Sequence, residues 1–197
     1  MSNQEIFNNI YQKNLWGKDS GTGSLKEHAR EYINYVNGFI KAYNIKSILD
    51  LGMGDTKVFR ELDLTNVDEY TGVEVSDFAI NKYYKNFKRD VTVINDDIVK
   101  CEYPKADLIL IKDVLQHLEI EFIKTVMDKI FNSCKYAIIT NDILLTENNE
   151  DIKNGEYRGL DLKKDPFNYK NLQIINTYVS FQETKAIYLY RKDNEVI

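Results

Sequence analysis

Between residues 47 and 140 the chain alternates short apolar runs with amphipathic stretches, and this alternation leaves few folds open. The runs are Ser47–Leu51, Tyr70–Val75, Val91–Asn95, Asp107–Lys112 and Tyr136–Thr140. Asp107–Lys112, DLILIK, is almost free of polar residues between its ends, as a strand buried on both faces requires. Helical spacing fills the intervals. Val58, Phe59 and Leu62 follow Thr56, then come Phe78, Ala79, Tyr83 and Phe87, and Phe122, Ile123, Val126, Met127, Ile130 and Phe131 follow Glu119. Strands and helices at this rhythm predict a doubly wound, mostly parallel α/β sheet.

Upstream, Ile6, Phe7, Ile10, Tyr11 and Leu15 recur at helical spacing over 3–16. Ser24 with Glu27 reads as a capping box for a helix running to about Tyr43. Downstream, the pattern breaks from Asn141 to about Asn171, and so long a loop in a compact domain is functional or disordered. Leu172–Phe181 and Lys185–Arg191, separated by a QET turn region, predict a hairpin that closes a sheet of about seven strands.

The chain has 197 residues, enough for one well-buried core, and its net charge of −5 carries no footprint for nucleic acid or an anionic membrane. Cys101 and Cys134 have no metal-like spacing and suggest no disulfide framework. No signal-peptide core or membrane-length run is visible, so a soluble cytoplasmic protein is expected. The oligomeric state is not legible.

The stretch Ser47–Gly54, SILDLGMG, ends a core strand on Asp50 and follows it with Gly52 and Gly54. Glycines there let the turn take positive φ and let a ligand touch bare main chain, although such a turn also occurs with no ligand at all. The dinucleotide pattern G-x-G-x-x-G is absent, because position 57 is Lys. Glu74 ends the second strand at the spacing from which an acid accepts ribose hydroxyls. Asp96, Asp97 and Ile98 follow the third strand, as a site for an adenine amino group and ring or as a plain acidic turn. Lys112, Asp113, Gln116 and His117 crowd the end of the fourth strand, where ligands of open α/β sheets sit. His117 is expected either to take a proton or to orient a substrate, with a purely structural role as the alternative.

Together, SILDLGMG, YTGVEV, INDDI, ADLILIKDVLQHL and YAIITND resemble the class I S-adenosylmethionine-dependent methyltransferases over about residues 45–142. Within that superfamily the chain is similar to small enzymes that methylate sugar or glycan hydroxyls. Those carry a Y…WG…SGxGS segment, here Tyr11, Trp16-Gly17 and Ser20–Ser24, and a late GGYRP-DL…PPFN loop, here Gly155–Leu162 and Pro166-Phe167-Asn168. The resemblance implies that Asp50, Gly52 and Gly54 face the methionine moiety and sugar of S-adenosylmethionine. It further implies that Glu74 holds the ribose, Asp97 (rather than Asp96) and Ile98 hold adenine, and Lys112 and Asp113 lie beside the methyl group. Trp16 and Ser24 belong to a lid over the cofactor. Thr56 departs from the family pattern, which has a third glycine there.

One domain, 1–197, is therefore expected, with a helical lid or cap (1–44), a cofactor-binding core (45–142), a substrate loop (143–171) and a C-terminal hairpin (172–197). The expected reaction is O-methylation of a hydroxyl on a nucleotide sugar or glycan, with His117 as base and Asp113 orienting it or the acceptor. Tyr11, Tyr157, Arg158, Asp161 and Phe167 are the expected substrate contacts, the arginine because its planar donors suit phosphate or carboxylate. Mg²⁺ is not expected; Asp113, Asn141 and Asp142 are the residues that would hold it. The alternatives are a small-molecule N- or carboxyl-methyltransferase and a non-catalytic cofactor-binding protein. A dehydrogenase is disfavoured by the missing glycine pattern.

Overall fold

Seven strands form one sheet in the order β3-β2-β1-β4-β5-β7-β6. They are β1 (Ser47–Leu51), β2 (Glu69–Val73), β3 (Thr92–Ile94), β4 (Ala106–Lys112), β5 (Cys134–Asp142), β6 (Leu172–Ser180) and β7 (Glu183–Arg191). The computed structural model describes residues 1–85, 87, 89–143 and 149–192; the parts of the expected substrate loop and C-terminal segment at 144–148 and 193–197 lie outside the described residues. β1 to β5 pair in parallel, whereas β7 runs antiparallel to both β5 and β6. The mostly parallel sheet with one reversed strand agrees with the pattern read from the sequence.

Alternating side chains build two cores. Ile48, Leu108, Leu110, Ile138, Ile187 and Leu189 face α2 (Lys26–Ala42), which contributes Ala29, Tyr32, Val36, Phe39 and Ile40. Leu49, Leu51, Ile109, Ile111, Ile139 and Tyr188 face the other way, onto α4 (Ile120–Ser133). Ile123, Val126, Met127 and Ile130 of α4 are each 0% exposed. Burying a side chain of that size stabilises the fold by about 1.5–3 kcal/mol. α1 (Asn3–Lys13) joins the same cluster through Phe7 and Ile10 and packs on α3 (Asp77–Tyr83).

Three expectations need correction. No α-helix connects β1 to β2, only a short 3₁₀ turn at Phe59–Glu61. Thr56 sits at φ +64°, so the chain leaves the loop in a conformation from which an α-helix does not start. Ser24 does not cap α2, whose N-cap is Leu25 with no side-chain bond. The capping box forms instead at Ser2 and Glu5, where Ser2 N donates to Glu5 Oε2 at 2.7 Å and Glu5 N to Ser2 Oγ at 3.3 Å. Finally, α1 stops at Lys13 with Asn14 at φ +52°, so Leu15 and Trp16 lie beyond the helix.

The strand order reverses between β1 and β4, and a crevice opens outside the carboxyl ends of strands at such a point. It is there that α1, the glycine turn and the residues after β4 converge.

Candidate functional site

A cavity of about 310 Å³ lies at this switch point. Its floor is the turn after β1. Gly52 and Gly54 adopt φ +77° and +61°, a region costly for other L-residues. A Cβ on Gly52 would fall 2.5 Å from Val114 Cγ2, and one on Gly54 2.7 Å from Ser20 Oγ, so a side chain at either position forces a neighbour to move.

The segment Asp19–Ser24 is clamped onto that turn by Asp55, a residue the sequence reading did not single out. Asp55 N donates to Ser20 Oγ at 2.9 Å, Ser20 N returns a bond to Asp55 Oδ2 at 3.2 Å, and Ser24 Oγ donates to the same oxygen at 2.8 Å. Lys57 Nζ ties Asp55 to Asp19, at 2.8 and 3.0 Å. Ser24 therefore spends its hydroxyl on the clamp while lining the cavity. Tyr11, expected at the substrate, bonds Ser20 at 3.0 Å over the glycine turn and is buried there.

Asp50, Glu74 and Asp97 each bring a carboxylate to the cavity lining. Glu74 Oε2 accepts from Gly54 N at 3.0 Å and Oε1 from Ser76 N at 2.9 Å. Burial pushes its carboxyl up to about 7, against the pull of those two donors. Asp50 accepts from the Tyr70 hydroxyl at 2.6 Å, and burial pushes it up to about 6. Asp97 Oδ2 accepts from Asn3 Nδ2 at 2.8 Å and Oδ1 from Val99 N at 2.9 Å, and Ile98 adds an apolar wall. Asn3 is a second residue the sequence reading missed; its position in α1 ties the amino-terminal helix to the cavity.

Asp113, also in the lining, stands at φ +58° between two lysines. Lys112 Nζ pairs with Asp113 Oδ2 and donates to Gly23 O at 2.9 Å. Lys185 Nζ lies 2.9 Å from Asp113 Oδ1 and 2.5 Å from Glu183 Oε2. Burial pushes the Asp113 carboxyl up, but the two ammonium charges outweigh it and hold it below the ordinary value. Lys185, 1% exposed, has no sequence signature: it reads as an ordinary β7 residue until β7 is placed against β5.

His117 is buried against Trp16, ring centroids 4.5 Å apart, and Nδ1 lies 2.9 Å from Glu156 O. A carbonyl oxygen only accepts, so Nδ1 carries the proton and Nε2 is left as the acceptor. Burial lowers its pKa to about 4, so the ring is neutral near pH 7. The partner that orients it is Glu156, not Asp113, whose oxygens are held by the lysines.

Of the expected substrate residues, Tyr11 and Tyr157 line the cavity; Tyr157 is half exposed and donates to Asp142 Oδ2. Asp161 and Phe167 do not line it. Asp161 Oδ1 accepts from the Tyr188 hydroxyl at 3.0 Å, and Phe167 packs into the α4 core beside Tyr169, because the irregular loop needs anchors of its own. Arg158 is also outside the lining, with its guanidinium buried; burial holds its pKa below the usual arginine value. Asp113, Asn141 and Asp142 do not form a cation site: Asp113 is neutralised by lysines, and Asp142 accepts from Tyr157 and from Thr184 N at 3.1 Å. Among the described residues no cluster of three His, Cys, Asp or Glu side chains is arranged to hold a metal. No helix among them is long and apolar enough to cross a membrane.

The strand order, the reversed β7 and a cavity over a glycine turn at the switch point decide the fold. It is that of the S-adenosylmethionine-dependent methyltransferases. N-methyltransferase NodS from Bradyrhizobium japonicum, solved with S-adenosyl-L-homocysteine, superposes with a TM-score of 0.72 at 15% identity, over 94% of this chain and 99% of that one. Magnesium protoporphyrin IX methyltransferase from Synechocystis, solved with the same ligand, gives 0.65 at 12%, covering 96% and 98%. An S-adenosylmethionine-dependent methyltransferase from Clostridium acetobutylicum gives 0.65 at 15%, covering 95% and 98%. No protein-family model and no curated protein sequence matches the chain.

Proposed function

We propose that the protein is an S-adenosylmethionine-dependent methyltransferase whose acceptor is a hydroxyl of a nucleotide sugar or glycan. The observation that carries the cofactor is the charge and backbone around the glycine turn. A dinucleotide needs a helix N-terminus after β1 for its pyrophosphate. Here a 3₁₀ turn rather than an α-helix follows β1, and Asp50 and Glu74 line the cavity at the turn, which suits a ligand carrying a sulfonium, an ammonium and hydroxyls. Glu74 is positioned to accept ribose hydroxyls, Asp97 and Ile98 to hold adenine, and the bare backbone of Gly52 and Gly54 to meet the remainder.

The cofactor, when bound, supplies an activated methyl group, so the chain's task is alignment and proton handling. His117 Nε2, kept unprotonated by burial and fixed by the bond from Nδ1 to Glu156 O, accepts the acceptor proton. Trp16 and Tyr157 offer ring faces to a sugar's C–H surface, and Trp16 also shields the imidazole from water. A second reading, methylation of an amine, rests on one observation: the Asp142 and Glu183 carboxylates both reach the Tyr157 hydroxyl, with Lys185 already paired to Glu183.

Thermal shift with S-adenosylmethionine, S-adenosylhomocysteine and NAD tests the cofactor, followed by an acceptor screen of nucleotide sugars, neutral glycans and amines. Stabilisation by the two sulfur compounds and methyl incorporation into a hydroxyl is the expected result. Stabilisation by NAD alone overturns the cofactor assignment.

A further inference from the structure

All three guanidinium nitrogens of Arg158, and both side-chain polar atoms of Asn141, are buried without a hydrogen-bond partner among the described residues. Arg158 is 9% exposed and Asn141 0%. A buried guanidinium normally meets a carboxylate or several carbonyls, because an unpaired one forfeits the solvation of a full charge. The carboxylate felt at Arg158, Asp151, instead accepts from the backbone N–H groups of Ile120 and Ile152.

Backbone contacts tie the segments that carry the two orphans to one residue, Gln116. Arg158 N donates to Gln116 O at 3.3 Å, Gln116 Oε1 accepts from Asp142 N at 2.9 Å, and Leu160 N donates to Asp142 O at 2.7 Å. Gln116 therefore joins the end of β5, where Asn141 precedes Asp142, to the backbone of Arg158 and the turn that carries His117. Gln116, His117 and Tyr157 line the cavity, so Arg158 stands one residue behind its wall.

We propose that Arg158, with Asn141 across the Gln116–Asp142 link, is an oxyanion subsite that receives a phosphate or carboxylate group of the acceptor. The planar fork of the guanidinium matches two oxygens of such a group, and the amide NH₂ of Asn141 supplies a further donor. The nitrogens are shielded from water in the ligand-free chain, so the irregular stretch carrying Arg158 shifts to admit the anion. This deepens the methyl-transfer reading, and rests on it for naming the bound molecule as the acceptor.

The test compares the wild type with Arg158→Met and Arg158→Lys by thermal shift at fixed ionic strength, chloride being exchanged for inorganic phosphate or for acetate. S-adenosylhomocysteine is titrated in parallel. The expected result is a rise in Tm of the wild type with phosphate or acetate, the stronger of the two naming the acceptor's group. The rise disappears in Arg158→Met and shrinks severalfold in Arg158→Lys, which keeps the charge and loses the fork, while the S-adenosylhomocysteine response is the same in all three. An anion response that is absent from the wild type, or equal in Arg158→Met, overturns the subsite. Should Arg158→Met not fold, an undiminished response in Arg158→Lys overturns it equally. If the anion response behaves as expected but S-adenosylhomocysteine binds nowhere, the subsite stands and the methyl-transfer reading falls.

Discussion

Lys185 and Asp113, both in the cavity lining, meet at 2.9 Å, one from β7 and one from the turn after β4. The contact exists because β7 is inserted antiparallel beside β5, with Lys185 in register with Asp142. Lys185 also neutralises Glu183, at 2.5 Å, so one buried ammonium serves two carboxylates.

Replacing Lys185 by Met should therefore cost more than a surface pair would. Removing one partner of a buried ion pair typically costs about 3–5 kcal/mol, because the remaining charges stay buried without compensation. Urea denaturation of Lys185→Met should show a loss of that order. Adding Glu183→Gln should recover part of it, whereas Glu183→Gln alone should cost less than Lys185→Met.

His117→Gln should lower kcat by about 10²–10⁴-fold if the imidazole takes the acceptor proton, since general-base catalysis typically contributes that much. Cofactor affinity, read by calorimetry, should stay near that of the wild type. The pKa of about 4 sets the pH dependence of kcat/KM, which reports the free enzyme: the ring is already unprotonated through the neutral range, so its acidic limb should appear near pH 4. Any limb between pH 6 and 7 then belongs to Asp50 and Glu74, whose values are about 6 and 7. Near-normal turnover in His117→Gln would leave the amine reading as the better one.

The core strands, their parallel pairing and the reversed hairpin were legible because they rest on local hydrophobic period, which Asp107–Lys112 and Leu172–Arg191 display plainly. Asp50, the two glycines, Glu74 and His117, each chosen by its distance from a strand end, all line the cavity. The helix expected after Thr56 was misread because Val58, Phe59 and Leu62 do have helical spacing, while the left-handed backbone of Thr56 leaves no trace in that spacing. Ser24 was misread as a cap because its competitor for the hydroxyl, Asp55, is distant in sequence. Lys185, Asn3 and Asp55 were invisible for the same reason: each matters through a partner that only the fold brings close. Asp161 and Phe167 carried a motif resemblance, and the structure uses them to hold the loop together.

Gly54→Ala should impair cofactor binding more than stability. The added methyl meets Ser20 Oγ at 2.7 Å, a side chain able to move, while φ +61° imposes a backbone cost of about 1–2 kcal/mol. Moving Ser20 breaks its reciprocal bonds with Asp55 and loosens Asp19–Ser24 from the turn. S-adenosylhomocysteine affinity should drop at least tenfold, and Gly54→Ala with Ser20→Ala should not restore it, because the clamp is then absent altogether. Recovery in the double variant would mean that steric contact alone is at issue.

Glu74 makes the ligand-free protein less stable as pH rises. Its carboxyl titrates at about 7 in the folded chain against an ordinary value of 4.5, so between those values the native state holds a proton the unfolded state has released. Stability is therefore fully present below pH 4.5 and lost as the pH climbs through 7, by on the order of 3 kcal/mol. His117 acts in the opposite sense over an overlapping window: its value of about 4 against 6.5 means that acidification through that range favours the unfolded state. The two are separable by mutation. Glu74→Gln should match the wild type near pH 5, where the native carboxyl is already neutral, and exceed it in Tm near pH 8, where the wild type must hold a buried charge beside Asp50. His117→Gln should flatten only the acidic side of the profile. An unchanged Tm difference between Glu74→Gln and the wild type from pH 5 to 8 would show that Glu74 is ionised in the free protein throughout, and that the charge awaiting a cationic ligand is already in place before the ligand arrives.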